Sequence, residues 1–177
     1  MGGGIDSDRE FLSLGIAILT VSDSRDERTD TSGDLLAERI ATAGHRLRGR
    51  ALVPQNRSAI RRQAQAWIED PEIDVIIASG GTGLTPHDVA PETFRELFDR
   101  ELEGFTVLWH LISYETVGVS TMQSRACAGI AGKTVAYVLP GSTGACRDGW
   151  DKLISLQIDS RHRPCSIVEA TASFQKR

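Results

Sequence analysis

Three glycines in four residues, from Gly80 to Gly83, form the stretch of this sequence best suited to holding an anion. Glycine adopts positive φ and allows close approach to the main chain, so successive N–H groups of such a turn can converge on phosphate oxygens. Thr82 adds a hydroxyl to the same turn. The pattern predicts a phosphate-binding turn, and the alternative is a tight turn that glycine merely permits.

Acidic residues follow the glycines at Asp88 and Glu92. A carboxylate beside a bound phosphate repels it unless a divalent cation lies between them, so either residue could hold Mg²⁺. The residues alone also allow helix capping by Asp88, and they favour compensation of a helix dipole by Glu92. His87 is more typical of a surface residue than of a catalytic base.

Two further polar turns follow apolar runs, at residues 22–25 (Ser-Asp-Ser-Arg) and 140–143 (Pro-Gly-Ser-Thr). If the preceding strands are parallel, these turns and the glycine turn all lie at carboxyl ends, where open α/β sheets bind ligands. Asp23 and Arg25 could contact a polar ligand there, and a solvated turn is the alternative. The pair at 124–125 (Ser-Arg) could hold an anion, although arginines in loops are commonly solvated.

Apolar strands and amphipathic helices alternate around these turns. Residues 14–21, 74–79 and 134–139 are largely apolar runs that predict strands buried on both faces, and the charge-rich segment 46–53 predicts an edge strand. The order strand, helix, strand, helix, strand implies right-handed crossovers. We therefore expect a three-layer α/β/α domain with a mostly parallel, mixed sheet.

Capping signals mark the start of two helices. Thr31 and Asp34 resemble a capping box at the first helix, and Asn56 is placed to cap the second. These signals bound two of the helices that should cover the sheet.

A longer helix is predicted over residues 105–117, with Gly118 as its stop. Its spacing assigns four residues to the buried stripe: Val107, Leu108, Leu111 and Ile112. Trp109 and His110 fall beside that stripe, where a second subunit could pack.

The composition excludes several classes of protein. With 177 residues, of which 40% are hydrophobic and 25% charged, the chain is typical of one globular domain. Its 20 basic and 24 acidic side chains leave a formal net charge of −4, which weighs against nucleic-acid binding. No apolar run approaches the length of about 18 residues needed to span a membrane, and no signal-peptide pattern is present, so we expect a cytoplasmic protein.

Residues 14–165 are expected to form the domain, with 1–13 as an N-terminal extension and 166–177 as a C-terminal tail. The three cysteines have neither the spacing of a zinc site nor the pattern of a disulfide scaffold. We expect them to be reduced and mostly buried thiols.

Six motifs occur in the order found in the MoaB/Mog family of molybdenum cofactor biosynthesis proteins, which the chain resembles over nearly the whole domain. They begin at Thr20, Ser79, Asp88, Glu103, Ser124 and Leu139 and read TVSDSR, SGGTGLT, DVAPE, EGF, SRA and LPGS. The segments FDRE (98–101), STMQSRA (120–126) and RHRPC (161–165) are most similar to the bacterial MoaB branch of that family.

The resemblance implies a homotrimer or homohexamer that binds molybdopterin at the glycine-rich turn. Active members adenylylate molybdopterin: its terminal phosphate attacks the α-phosphorus of MgATP, and pyrophosphate leaves. Such a transfer relies on positioning and charge neutralisation. Other molybdenum cofactor assembly proteins are implied as partners.

Carried over by position, the resemblance assigns functional residues in this chain. Asp88 matches an essential acidic residue, which makes it the expected catalytic residue and Mg²⁺ ligand. The expected molybdopterin and phosphate ligands are Ser22, Asp23, Gly80, Gly81, Thr82, Gly83, Ser124, Pro140, Gly141 and Ser142.

One position departs from the family pattern. Active relatives carry a second essential Asp directly after the Pro that closes the second strand, whereas here Pro54 is followed by Gln55. A glutamine can orient a ligand but cannot give Mg²⁺ a negative charge. The sequence therefore leaves open an active molybdopterin adenylyltransferase, or a catalytically weak or inactive molybdopterin-binding carrier or assembly partner. A regulatory or scaffold module is the least favoured alternative.

Overall fold

A six-stranded sheet forms the centre of the molecule in the computed structural model, which describes residues 4–169. The strands are β1 (Gly15–Val21), β2 (Arg46–Val53), β3 (Val75–Ser79), β4 (Arg100–Glu101), β5 (Cys127–Ala131) and β6 (Thr134–Leu139). Their order is β2-β1-β3-β6-β5-β4. β1, β2, β3 and β6 are parallel, whereas β5 runs antiparallel to its neighbours β6 and β4. The predicted mostly parallel, mixed sheet is confirmed.

Helices cover both faces of this sheet. They are α1 (Thr31–Thr42), α2 (Arg57–Glu69), α3 (Ala90–Arg95), α4 (Glu103–Val117), α5 (Thr143–Gly149) and α6 (Ser155–Gln157). A 3₁₀ turn, Gly118–Gln123, follows α4, and a π-helical turn, Trp150–Ile154, joins α5 to α6.

Alternate residues of the strands face two separate cores. Ile16 and Ile18 pack in one core with residues of α1, α4 and α5, whereas Ala17 and Leu19 pack in the other with residues of α2 and α3. A strand that is covered on both faces buries every side chain, which explains why its sequence is continuously apolar. The edge strand β2 is mostly exposed and carries the charges.

The helix starts follow local capping chemistry. Asn56 caps α2 as predicted, because its side chain accepts a hydrogen bond from Ala59 N. The capping box expected at Thr31 is wrong by one residue: Asp30 is the N-cap of α1, and its side chain accepts from Gly33 N. Asp30 is also almost fully buried, so this cap belongs to the interior as well as to the helix.

The buried stripe predicted for α4 is wrong for three of its four residues. Those three lie at the surface: Val107, Leu108 and Leu111 are 61%, 50% and 60% exposed. The residues that face the core are Phe105 and Trp109, with Ile112 packed partly against it. Because apolar residues occur nearly all round this helix, its period alone does not distinguish the side that meets the sheet.

Two chain segments lie against each other near the amino end of β1. Residues 4–14 run beside residues 158–163, and Ser160 joins them. Its hydroxyl accepts from Leu12 N at 2.9 Å and donates to Glu10 O at 2.8 Å.

Cys127 and Cys146 are buried, as predicted, whereas Cys165 is exposed, and all three are free thiols. Burial raises the pKa of the Cys146 thiol to about 11. Within residues 4–169, none of the helices has the length and apolar character required to cross a membrane. The domain limits at residues 13 and 165 stay predictions, and residues 1–3 and 170–177 lie outside the described part of the chain.

Candidate functional site

A polar pocket opens between the carboxyl ends of β1 and β3. These strands are neighbours, but the helix after β1 packs in one core and the helix after β3 packs in the other. Connections that leave in opposite directions create the crevice in which open α/β sheets bind ligands. The pocket has a volume of about 270 Å³ and is lined by Val21, Ser22, Ser24, Arg25, Gln55, Gly80, Gly81, Thr82, Gly83, Asp88 and Gly141.

Glycine is required at two turns of this pocket because the main chains nearly touch. Gly80 has φ +95°, and a Cβ on it would lie 2.2 Å from Val21 O. A Cβ on Gly141 would lie 3.1 Å from the Cα of Gly80. The turns after β3 and β6 are therefore in contact through bare backbone, and no larger residue fits between them.

The turns leave main-chain donors available to a ligand. The N–H groups of Gly81, Thr82 and Gly141 meet no acceptor among residues 4–169. Gly81 and Thr82 are buried, and an N–H group without an acceptor is costly there. An anion that reached the pocket would find several such donors together, as the glycine pattern predicted.

Asp88 lies on the wall of the pocket beside Gly83. Its Oδ2 accepts from Thr85 N at 3.0 Å and from Thr85 Oγ1 at 2.6 Å. Partial burial opposes ionisation, but these hydrogen bonds, one from Gly83 N and the charge of Arg125 together hold the pKa of Asp88 below its ordinary value. The carboxylate is therefore ionised at neutral pH.

Gln55 lines the same pocket as Asp88. Its main-chain N–H donates to Asp23 Oδ1 at 2.9 Å, which joins the turns after β1 and β2. The neutral residue thus stands within the crevice itself, so the departure from the family pattern falls inside the candidate site.

The donor set bears on whether Mg²⁺ fits. Among the residues described, no group of three or more His, Cys, Asp or Glu side chains is arranged to hold a metal. Mg²⁺ commonly keeps several waters and is held by one or two carboxylates together with substrate phosphates. Asp88, the one carboxylate among the residues that line the pocket, fits the ligand set of such a metal as its single anionic protein ligand.

Two arginines bond main-chain oxygens of the turns, and sequence reasoning had left their roles open; Arg25 also lines the pocket. Arg25 Nη2 donates to Gly141 O at 2.8 Å. Arg125 Nε donates to Gly83 O at 2.8 Å, and Arg125 also pairs with Glu92. The available signal for these roles was an arginine directly after a serine in two of the motifs, TVSDSR and SRA. The partners of each arginine are remote in sequence, so the signal does not identify them.

Most of the predicted site residues come together. Those that line the pocket are Ser22, Gly80, Gly81, Thr82, Gly83, Asp88 and Gly141, and Asp23 is attached to it through Gln55. Pro140, Ser142 and Ser124 are not among the lining residues. Ser142 caps α5 through Ala145 N at 3.1 Å, and Ser124 Oγ accepts from Trp109 Nε1 at 2.8 Å.

Comparison with known proteins agrees with this geometry. Residues 17–160 match the family described as a probable molybdopterin binding domain. The chain is 50% identical over 158 residues to molybdenum cofactor biosynthesis protein B of Escherichia coli K12, covering 89% of this chain and 93% of that protein. It is 38% identical over 146 residues to a probable molybdopterin adenylyltransferase of Methanocaldococcus jannaschii, covering 78% of this chain and 86% of that one.

Solved structures show the same fold. A molybdenum cofactor biosynthesis protein B superposes with a TM-score of 0.85 and 34% identity. The match covers 96% of this chain and 100% of the other. The molybdopterin biosynthesis enzyme MoaB of Thermus thermophilus gives a TM-score of 0.75 and 31% identity, covering 93% and 98% of the two chains.

Proposed function

Since the chain belongs to the MoaB family of molybdenum cofactor biosynthesis proteins, with a molybdopterin-binding domain, we propose that it binds molybdopterin in the pocket between β1 and β3 and adenylylates it. The observation that carries this proposal is the set of N–H groups at Gly81, Thr82 and Gly141 that meet no acceptor in the described part of the chain, beside the ionised Asp88. Donors of this kind recognise phosphate oxygens, and Arg25 adds a basic side chain to the lining of the pocket. The similarity to a probable molybdopterin adenylyltransferase supports the transfer step.

In the proposed reaction, an oxygen of the terminal phosphate of molybdopterin forms a bond to the α-phosphorus of ATP. The bond from that phosphorus to the bridging oxygen breaks, and pyrophosphate leaves with its electrons. The turn N–H groups hold phosphate oxygens and orient the two reactants. Asp88 and Gln55 would hold Mg²⁺, which neutralises phosphate charge when it is bound.

Gln55 favours a second function, binding of molybdopterin without turnover. A pocket with one carboxylate has less negative charge for a metal than a pocket with two. Binding through main-chain N–H groups does not depend on that charge. The chain would then act as a carrier or as a partner of other assembly proteins.

Release of pyrophosphate from ATP and purified molybdopterin separates these two functions. The adenylyltransferase proposal expects pyrophosphate in stoichiometric yield with adenylylated molybdopterin. Tight molybdopterin binding without any pyrophosphate would establish the carrier instead. In that case we expect the Gln55→Asp variant to gain turnover, because it restores the second carboxylate; a variant that stays inactive would remove Gln55 as the explanation.

A homotrimer or homohexamer in the cytoplasm is part of the same proposal. The support for self-association is the exposed apolar side of α4, where Val107, Leu111 and Tyr114 are 61%, 60% and 59% exposed. Monomeric proteins rarely expose contiguous apolar patches of large area. Sedimentation equilibrium should give three or six times the chain mass of 19.3 kDa, and a monomer would contradict the assignment.

A further inference from the structure

Arg125 is bonded to three separate parts of the candidate site. Its Nε donates to Gly83 O at 2.8 Å and to Thr82 O at 3.3 Å. Its Nη2 donates to the main-chain oxygen of Asp88, and its Nη1 pairs with Glu92 on α3. We propose that Arg125 is a positioning residue, which holds the glycine turn and Asp88 in the arrangement that binds the anionic ligand.

Direct binding of the anion by Arg125 does not agree with these contacts. Each of its three guanidinium nitrogens donates to a protein oxygen, and Glu92 balances its charge. Arg125 is also not among the residues that line the pocket. Its action on a ligand therefore passes through the turn.

The carbonyl contacts explain how that action works. A guanidinium is planar and rigid, so its donors fix the oxygens they contact in one relative geometry. The oxygen of Thr82 belongs to the peptide whose nitrogen is that of Gly83, and the carboxylate of Asp88 lies against Gly83, with its Oδ2 2.7 Å from the position that a Cβ would take there. One side chain thus sets the orientation of peptide groups within the turn and the place of the carboxylate relative to them. A lysine at this position keeps the charge but cannot make the same set of bonds.

The proposal deepens the proposed function, because it names the residue that keeps the phosphate-binding turn in its binding geometry. Its test therefore needs one measurement that requires a ligand and one that does not. The first is the affinity of the full-length protein for molybdopterin and for MgATP by isothermal titration calorimetry. The second is hydrogen exchange at the amides of residues 80–88 in the ligand-free protein.

Arg125→Lys is the central variant, and Arg125→Ala gives the full loss. We expect Arg125→Lys to bind molybdopterin and MgATP about tenfold more weakly than the wild type, because about one charge-assisted hydrogen bond is lost. Arg125→Ala should bind them more weakly still. Amide exchange in residues 80–88 should rise in the same order. The matched control is Arg95→Lys, because Arg95 also pairs with a carboxylate, that of Glu101 at 2.8 Å, but makes no hydrogen bond to the glycine turn within the described part of the chain.

The outcomes distinguish this proposal from the proposed function. Wild-type affinity and unchanged exchange in Arg125→Lys would overturn the positioning role and leave molybdopterin binding intact. Raised exchange in the variant, in a protein that binds neither ligand, would support the positioning role and remove the proposed function. If Arg125→Lys unfolds, Glu92→Ala provides the test, since it removes the acceptor of one guanidinium nitrogen; it should weaken binding by a smaller factor, and undiminished affinity would contradict the proposal.

Discussion

The two ends of the sheet differ in whether nearby main-chain N–H groups have hydrogen-bond acceptors. At the carboxyl ends, the N–H groups of Gly81, Thr82 and Gly141, in the turns after β3 and β6, meet no acceptor within residues 4–169. At the amino ends, side chains bond them: Asp74 Oδ2 accepts from Gly15 N at 2.8 Å, and His45 Nδ1 accepts from Leu14 N at 3.2 Å. The amino ends of the strands, here called the closed end, contribute to stability. The carboxyl ends, here called the open end, keep N–H donors that a ligand can use. Substitutions at the open end should therefore change binding, and those at the closed end only stability.

The largest effect is expected at the open end for Asp88→Ala. The variant removes the one carboxylate among the residues that line the pocket, so Mg²⁺-dependent ATP binding should fall by about a hundredfold or more. Titration calorimetry with and without Mg²⁺ measures this. Asp151→Ala, which breaks a surface pair with Arg39, is the control. Unaltered Mg²⁺-dependent binding in Asp88→Ala would reduce Asp88 to its hydrogen bonds with Thr85.

Gly80→Ala should damage both stability and binding. The added Cβ meets Val21 O at 2.2 Å and the backbone has φ +95°, so we expect a loss of about 2 kcal/mol or more in the free energy of unfolding. Chemical denaturation measures it. Gly104→Ala is the matched control, because no atom lies within 4 Å of the Cβ position there. Equal stabilities of the two variants would show that Gly80 does not lie against the main chain at the end of β1.

Ser160→Ala should lower stability without changing ligand affinity. The hydroxyl of Ser160 is buried and bonds Leu12 N and Glu10 O at the closed end. Its removal leaves Leu12 N and Glu10 O, which belong to exposed residues, without their side-chain partner, at a cost of about 1 kcal/mol. Ser120→Ala, at an exposed position, is the control for the denaturation experiment. A change in molybdopterin affinity in Ser160→Ala would contradict the separation of the two ends.

The smallest effect is a pH dependence at His45. Burial lowers the pKa of this side chain, although the charges of Asp159 and Asp74 oppose the shift. The unfolded chain therefore binds the proton more readily, and His45 destabilises the fold as the pH falls below its ordinary pKa of about 6.5.

His45→Gln should accordingly lose less stability than the wild type between pH 7.5 and pH 5, measured as the free energy of unfolding at both values. His87→Gln is the control, since His87 is exposed at the open end. Parallel pH profiles for wild type and His45→Gln would show that the buried ring does not sense the proton.

Sequence patterns that depend on local geometry predicted the structure well. The bounds of β2 and β6 and the cap at Asn56 agree with the structure, because edge charge, strand burial and capping act over a few residues. The buried side of α4 was missed, since the helix has apolar residues on several sides. Which side meets the sheet depends on the position of β5 and β6, which the spacing within the helix does not contain.

The candidate site shows the same division. The glycine turn was identified from a stretch of four residues that contains three glycines, and Asp88 from its position after that stretch. Both lie in one pocket. Arg125 is separated from Thr82 by 43 positions in the chain and from Gly83 by 42. Such contacts have no local signal in a single sequence. An arginine that bonds a remote turn and an arginine that is solvated have the same sequence neighbourhood.

The sequence by itself determined the four parallel strands but not β4 and β5, and it determined the glycine turn and the absence of a carboxylate at Gln55, because these depend on residue type and on neighbours along the chain. Only the tertiary structure decided that Gln55 and Asp88 share a pocket, that Gly141 touches Gly80, and that Arg125 binds the turn and not a ligand. The reason is physical. Strand order brings remote turns to one edge of the sheet, and the direction of each side chain and N–H group there is set by packing.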